Sequence, residues 1–153
     1  MEITKSNLEF IDFMVLHTEY VFVEPKKKLN IREAFNAYHI DVNFDKTREI
    51  IKDNVVQFNL HIVVNINTVD KPLPGYQVKA KGVALFRLTL NDNLSKKEET
   101  NLKNLSALSI TINALRNYVS QLTANGPFGK FVLPAVNVND LIKSKIEEVK
   151  TAQ

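Results

Sequence analysis

The segment that decides the fold is Asn104–Ile142, NLSALSITINALRNYVSQLTANGPFGKFVLPAVNVNDLI. Its first part carries apolar side chains at alternating three- and four-residue spacings, which place them along one stripe of an α-helix. These side chains are Leu105, Leu108, Ile112, Leu115, Val119 and Leu122. Ser95 followed by Glu98 predicts a capping box, so we expect the helix to begin near Lys96.

The end of this helix is predicted at Asn125-Gly126-Pro127. Asn125 or Gly126 can adopt the left-handed conformation of a C-cap, and Pro127 cannot continue the helix. A helix over residues 96–124 would be roughly 43 Å long at ~1.5 Å per residue. A chain of 153 residues rarely buries so long a stripe alone. We therefore expect the stripe to form the interface of a homo-oligomer.

An extended linker and a second helix are predicted after the end of the long helix. An extended linker leads to Asn137, which with Asp140 is expected to cap a last, shorter helix. In that helix an apolar strip lies beside charged residues, and it contains Leu141, Ile142, Ile146 and Val149.

Four alternating segments upstream of the helix predict strands: residues 9–23, 38–45, 56–66 and 76–90. The first is apolar at both parities, with Phe10, Met14, Leu16, Tyr20 and Phe22 on one of them, which is typical of a strand covered on both faces. Gly82 is expected at a bulge or a close approach. The predicted fold class is α+β, with a four-stranded antiparallel sheet followed by a long helix and a shorter C-terminal helix.

Length and composition limit the number of domains and the class of protein to which the chain can belong. The length predicts one domain over residues 1–153. There is no run of about 18 apolar residues, and the acidic N-terminal segment is unlike a signal peptide. The chain has no cysteine. We expect a cytoplasmic protein without membrane insertion.

The chain is mildly basic, with a formal net charge of +3, and its one run of consecutive basic residues is Lys26–Lys28. This run has two interpretations: a solvated loop, or a contact for an acidic partner or phosphate. Aromatic residues are not interleaved with basic ones as in single-strand binders, so we expect no nucleic-acid partner.

The polar residues do not predict catalysis. His17, His39 and His61 lie on predicted strands without a metal-ligand spacing. Asp41 and Asp45 would be about 13 Å apart on a strand at ~3.3 Å per residue, too far for an acid/base pair. We expect no enzyme, no metal and no cofactor. An enzyme or small-ligand protein on this fold would need a converging polar site.

The same decisive segment resembles the C-terminal half of SecB, the cytoplasmic export chaperone. The residues that carry the resemblance are Ala114, Arg116, Val119, Ser120, Leu122, Gly126, Phe128, the run Phe131–Asn137 (FVLPAVN) and Leu141. Ala135 stands where the family usually has a second proline, Val138 where it has an aromatic residue, and Gly129-Lys130 replaces a proline-containing pair. The predicted order of four strands, long helix and short helix is also that of SecB-like proteins.

The resemblance implies a nucleotide-independent chaperone that holds unfolded or precursor polypeptides in apolar grooves during protein export and translocation. It also implies a homotetramer, a dimer of dimers, with the long helix and first strand at subunit contacts. The groove would draw on the connecting loop, the linker and the last helix: Leu29, Ile31, Phe35, Phe128, Phe131, Val132, Leu133, Leu141, Ile142 and Ile146. For each of them, burial in the core or in a subunit interface is the competing interpretation.

The export role carries over less well. SecB-like proteins present acidic residues to the motor SecA, and Glu19 and Glu24 lie where that acidity is expected. Lys79 and Lys81, however, occupy the polar face of the fourth strand, where an acidic residue belongs. Two alternatives therefore stay open: a SecB-like chaperone dedicated to one client, such as the antitoxin of a toxin–antitoxin system, and an adaptor for a folded partner.

Overall fold

The computed structural model describes residues 1–152. They form an antiparallel sheet with strand order β1-β5-β4-β2, and a short strand, β3, also pairs with β4. The α+β fold is confirmed, but the sheet has five strands instead of four. The elements are β1 Leu8–Val23, α1 Ile31–Ala37, β2 Ile40–Lys46, β3 Ile50–Lys52, β4 Val55–Ile66, β5 Gly75–Thr89, α2 Lys96–Asn101, α3 Ala107–Thr123 and α4 Val138–Thr151.

Two short elements, α1 and β3, lie between the segments predicted as strands. β3 forms a hairpin with β4 through Asp53 and Asn54, whose φ angles of 51° and 60° suit a two-residue turn. α1 begins at Asn30, whose side chain accepts a hydrogen bond from the Glu33 backbone N–H. Both elements depend on local turn and cap chemistry, which is weaker in sequence than the alternation of the long strands.

One long helix follows the sheet in three consecutive segments: α2, a π-helical turn at Leu102–Ser106, and α3. The capping box is confirmed, because the Ser95 side chain accepts from the Glu98 N–H and the Glu98 carboxylate accepts from the Ser95 N–H. The cap of α4 is also confirmed: the Asn137 side chain accepts from the Asp140 N–H. None of the helices formed by residues 1–152 is long and apolar enough to cross a membrane.

The predicted left-handed stop is wrong in its position. Gly129, with φ 73°, takes the left-handed conformation, whereas Asn125 and Gly126 do not. Gly126 has another physical reason to be glycine, because a Cβ there would lie 2.8 Å from the Tyr20 hydroxyl. The glycine lets the end of the helix approach the sheet closely.

The core lies between the long helix and one face of the sheet. On β4 every second side chain is buried, as its alternation predicts: Val56, Phe58, Leu60, Ile62, Val64 and Ile66. The helix contributes Leu108, Ile112, Leu115 and Val119, which are at most 4% exposed within this single chain. The predicted role of these four in an oligomer interface is therefore wrong, and Leu105 and Leu122 are half-buried beside them.

The helix stripe is buried within a single chain because the strands of the sheet are long. The 15 residues of β5 extend for about 50 Å at ~3.3 Å per residue, so the sheet is long enough to cover the whole helix.

β1 carries two β-bulges, and each of them switches the set of alternate residues that faces the long helix. Its register with β5 shifts between Phe10 and Asp12 and again between Val15 and His17. Consequently residues of both parities pair with helix-side residues of β5: Leu8, Phe10, Phe13, Val15, Thr18, Tyr20 and Phe22. Gly82 does mark a close approach, since the Phe13 ring occupies the space of its missing Cβ.

An ion-pair cluster at the π-helical turn joins the helix to the β2–β3 connection. Lys103 Nζ lies 3.1 Å from both Glu99 Oε1 and Glu49 Oε2, and Lys46 Nζ lies 3.3 Å from Glu49 Oε1. Burial acts to raise the pKa of Glu49, but hydrogen bonds from Lys103 and Lys46 outweigh it, so the pKa is lowered. Hydrogen bonds from Lys103 and Lys96 lower the pKa of Glu99.

Replacing Lys103 by methionine should lower the free energy of unfolding by about 2 kcal/mol at about pH 7, because two largely buried carboxylates each lose one of their two lysine partners. Carboxyls whose pKa is lowered on folding stabilise the protein above their unfolded pKa of ~4.3, and that stabilisation is lost as the pH falls through the folded pKa. The cost of Lys103→Met should therefore shrink below about pH 4.

Urea titrations of both proteins across this pH range measure the effect. The matched control is Lys96→Met, whose side chain is 88% exposed although its ammonium also contacts Glu99. It should change stability by less than about 0.5 kcal/mol. A pH-independent cost for Lys103→Met would contradict the electrostatic explanation.

Candidate functional site

The linker between α3 and α4 is held against the sheet by Tyr76. The Tyr76 hydroxyl donates to the Gly129 carbonyl at 2.6 Å and accepts from the Phe128 N–H at 3.1 Å. Farther along, Thr123 Oγ1 accepts from the Phe131 N–H at 2.9 Å, and Arg116 Nε donates to the Leu133 carbonyl at 2.9 Å. The linker is thus an extended segment fixed by side chains of the sheet and the long helix.

An aromatic cluster joins this linker to α1 and β5. The Phe35 ring centroid is 5.1 Å from that of Phe131, 5.8 Å from Tyr76 and 6.4 Å from Phe128. The Tyr38 hydroxyl donates to the Pro74 carbonyl and accepts from the Tyr76 N–H. Burial raises the pKa of both tyrosines. We call Phe22, Phe35, Tyr38, Tyr76, Phe128 and Phe131 the aromatic cluster.

The linker residues of the predicted groove do not share one environment. Phe131 and Leu133 are 2% and 0% exposed, whereas Val132 between them is 53% exposed. This alternation follows from the extended backbone, in which successive side chains point to opposite sides. The groove assignment is therefore wrong for Phe131 and Leu133, which belong to the core, and Val132 is accessible. Phe128 is half-buried within the aromatic cluster.

The other predicted groove residues fall at three places. Phe35 belongs to the aromatic cluster, and Ile31 on the same helix is 39% exposed. Leu29 lines a separate pocket beside the connecting loop. On α4, Leu141 lines a cleft against Val42 and Phe44 of β2, Ile142 is half-buried, and Ile146 is 49% exposed.

The loop pocket has a volume of about 760 Å³ and lies between the loop after β1, α1 and the β4–β5 turn. Its lining includes Val23, Glu24, Lys26, Lys27, Lys28, Leu29, Glu33, Ala34, Leu73 and Pro74. The turn that forms one wall is fixed by the buried Asn67, which has φ 55°. Its amide donates to the Leu73 and Tyr76 carbonyls and its oxygen accepts from the Leu73 N–H.

Sequence reasoning missed this pocket and the anchoring role of Tyr76. The pocket could have been anticipated from Pro72-Leu73-Pro74, a turn too apolar to be fully solvated, which follows soon after Asn67. Nothing in the sequence distinguishes Tyr76 from other inward strand residues, because its hydrogen bonds are made to residues about fifty positions away.

The predicted motor-docking face is only partly assembled. Glu19 and Lys79 are register partners on the face of the sheet away from the long helix, and Lys81 pairs there with His17. A hydrogen bond with His17 lowers the pKa of Glu19, and the charge of Lys79 lowers it further. Glu24 lies elsewhere, in the lining of the loop pocket. The negative charge of Glu19 is therefore opposed locally by the positive charge of Lys79.

Asp41, Asp45 and His61 line one open pocket of about 860 Å³ on the face of the sheet away from the long helix, together with Lys79, Lys81 and Lys145. Asp45 pairs in register with His61, and Asp41 accepts a hydrogen bond from the Asn65 amide. Within residues 1–152 no group of three or more histidine, aspartate or glutamate side chains is placed to hold a metal ion.

The edge strand β1 exposes several large apolar side chains. β1 pairs with β5 on one side, and its other edge carries no strand of this chain. Seven of its large apolar side chains are between 37% and 52% exposed: Phe10, Ile11, Met14, Val15, Leu16, Tyr20 and Val21. Long edge strands with exposed backbone groups are templates for pairing with another chain.

Comparison with known proteins gives similarity to solved structures alone. No protein-family model and no curated protein matches the chain. The chain is similar to a SecB-like chaperone of Mycobacterium tuberculosis, Rv1957, solved with a ChAD peptide from the HigA1 antitoxin, with 15% identity, a TM-score of 0.49, and coverage of 85% of this chain and 91% of the other. It is also similar to a protein of unknown function from Streptococcus agalactiae, with 10% identity, a TM-score of 0.49, and coverage of 87% and 100%.

Replacing Tyr76 by phenylalanine should lower the free energy of unfolding by about 1–3 kcal/mol, because a part-buried N–H and a part-buried carbonyl of the linker lose their partner. Urea denaturation measures the change. The control is Tyr20→Phe, whose ring lies 5.8 Å from that of Tyr76 but is 37% exposed, so water can replace its hydroxyl contacts. Equal effects of the two substitutions would contradict the anchoring role.

Proposed function

We propose that this protein is a SecB-like, nucleotide-independent chaperone that holds unfolded or precursor polypeptides by apolar contact. The observation that carries the proposal is the number of large apolar side chains that the chain leaves in water outside its core, on β1, α1, the linker and α4. The resemblance of the linker segment to SecB supports the same function. Soluble proteins seldom leave a large apolar patch, such as the seven exposed apolar side chains along β1, without a partner.

The client-binding surface in this proposal combines accessible residues with the half-buried rings beside them. Ile31, 39% exposed, lies one helical turn from the half-buried Phe35, Val132 is 53% exposed on the linker, and Ile146 adds a site on α4. Burying apolar surface contributes roughly 25 cal/mol per Å², without direction and without reading sequence. Several such contacts hold an extended segment reversibly, so the proposed activity requires no cofactor and no catalytic residue.

The proposed assembly is a dimer of dimers in which the β1 edges of two copies pair antiparallel. An isologous contact between two edges satisfies the free backbone groups of both strands and covers the exposed side chains together. We assign the protein to the cytoplasm, where precursor chains are made.

A dedicated client is the second candidate function, and the sheet face away from the long helix favours it. The Glu19 carboxylate lies 2.8 Å from His17 Nε2, Lys79 lies opposite it on β5, and Lys81 adds further positive charge. Such a face is poorly suited to the docking of a motor that recognises acidic residues. A chaperone that holds one client, such as an antitoxin, does not need that docking.

The first test is the aggregation of a chemically unfolded protein on dilution without nucleotide, followed by light scattering. We expect suppression at near-stoichiometric chaperone. Ile31→Glu with Val132→Glu should raise the required concentration about tenfold, because two charges enter the proposed surface. The matched control is Ile50→Glu with Ile51→Glu, at positions 67% and 65% exposed on β3.

Each outcome is informative. Full activity in the Ile31/Val132 variant would remove this surface from the proposal. No suppression by a well-folded wild-type oligomer would contradict general holding activity and would favour a dedicated client or a folded partner.

The assembly has its own test. Leu16→Lys with Val21→Lys should reduce the oligomer to smaller species in multi-angle light scattering, because like charges would meet along the paired edges. Lys substitutions at Ile50 and Ile51 should leave the mass unchanged. An unchanged mass for the β1 variant would exclude this edge as the interface.

A further inference from the structure

The loop pocket places lysines beside apolar side chains. Val23, Leu29, Ala34, Leu73 and Pro74 give it an apolar lining, and the consecutive residues Lys26–Lys28 line it as well. Glu24 and Glu33 are the carboxylates of the lining, so three positive charges face two negative ones. A ligand of this pocket would meet an apolar surface and an excess of positive charge.

The three lysines keep their charge available. The lysines that form ion pairs within residues 1–152 are Lys46, Lys96, Lys103 and Lys145. Lys26–Lys28 make no such pair at 4 Å or less in the described chain, although two carboxylates line the same pocket. Their side chains are exposed, so a bound carboxylate would not displace an existing partner.

The backbone of the same loop is also available. Residues 25–29 form no backbone-to-backbone hydrogen bond within the described chain. The C=O groups of these residues and the N–H groups of residues 26–29 can therefore pair with an extended peptide, as in other modes of peptide recognition that use free main-chain groups. The apolar lining, the free main chain and the unpaired ammonium groups together define the chemistry of the occupant.

We propose that the loop pocket binds client segments in which apolar side chains are flanked by aspartate or glutamate. This inference rests on the proposed chaperone function and specifies its preferred substrate: an extended, acidic and apolar polypeptide. Apolar side chains would enter the pocket, and the flanking carboxylates would lie against Lys26–Lys28. Complementary charge then selects among clients that apolar contact alone does not distinguish.

The test uses the full-length protein and three fluorescently labelled peptides of equal length. One has apolar residues flanked by glutamates, the second has the same residues flanked by lysines, and the third has the glutamates around serines. Fluorescence anisotropy should give a Kd about tenfold lower for the acidic apolar peptide than for the basic one at low salt. The ratio should approach one at about 0.5 M salt, because these charges are exposed.

A charge-matched pair of variants locates the effect. Lys26→Gln, Lys27→Gln and Lys28→Gln together should abolish the tenfold preference and leave binding of the basic peptide no weaker. The control is Lys5→Gln, Lys52→Gln and Lys97→Gln, which removes the same charge at exposed positions near the opposite end of the sheet. It should retain most of the preference.

The outcomes separate this inference from the function on which it rests. Equal binding of both apolar peptides would overturn the charge preference and leave the chaperone function supported. Binding of neither apolar peptide by the folded oligomer would contradict both. If the serine peptide, or a single-stranded DNA of similar charge, binds as tightly as the acidic apolar peptide, the pocket is a general polyanion site and the inference is overturned.

Discussion

The width of one helix, set against the width of the sheet, is the constraint on which the rest of the structure depends. An α-helix is about 10 Å across and neighbouring strands are about 4.8 Å apart, so one helix covers about two strands. The long helix accordingly buries the inward residues of β4 and β5. The outer strands are left incompletely covered: Phe10 and Tyr20 of β1 remain 40% and 37% exposed, and Phe44 of β2 is half-buried.

The two outer strands differ in how far the rest of the chain covers them. At β2, the apolar side of α4 supplies a partial cover, and Lys145 of that helix donates to the Asn43 side chain. At β1 this chain supplies no cover, and the bulges turn apolar side chains toward both faces. The incomplete core therefore creates the surfaces on which the proposed assembly and client binding depend. The loop pocket differs from them because lysines border it, which gives it a selectivity that apolar contact lacks.

Prediction from sequence succeeded where the signal was local and repeated. The alternation in β4, the capping box at Ser95 and the cap at Asn137 each concern residues a few positions apart, and the structure has all three. β3 was missed because three residues are too few to show a period. In β1 the bulges reversed the parity, since the pairing with β5 decides where an extra residue is accommodated.

The class of fold and the N-terminal caps at Ser95 and Asn137 could be predicted from sequence, because periodicity and capping act between neighbours in the chain. Tertiary structure alone decided the use of each apolar residue. Leu115, predicted for an interface, is 1% exposed, whereas Val132, equally apolar, is 53% exposed. Their hydrophobicity is alike, and only the position of each backbone relative to the sheet separates core from surface. The loop pocket was likewise decided by packing, because its walls come from segments about forty residues apart that the β1–β5 pairing brings together.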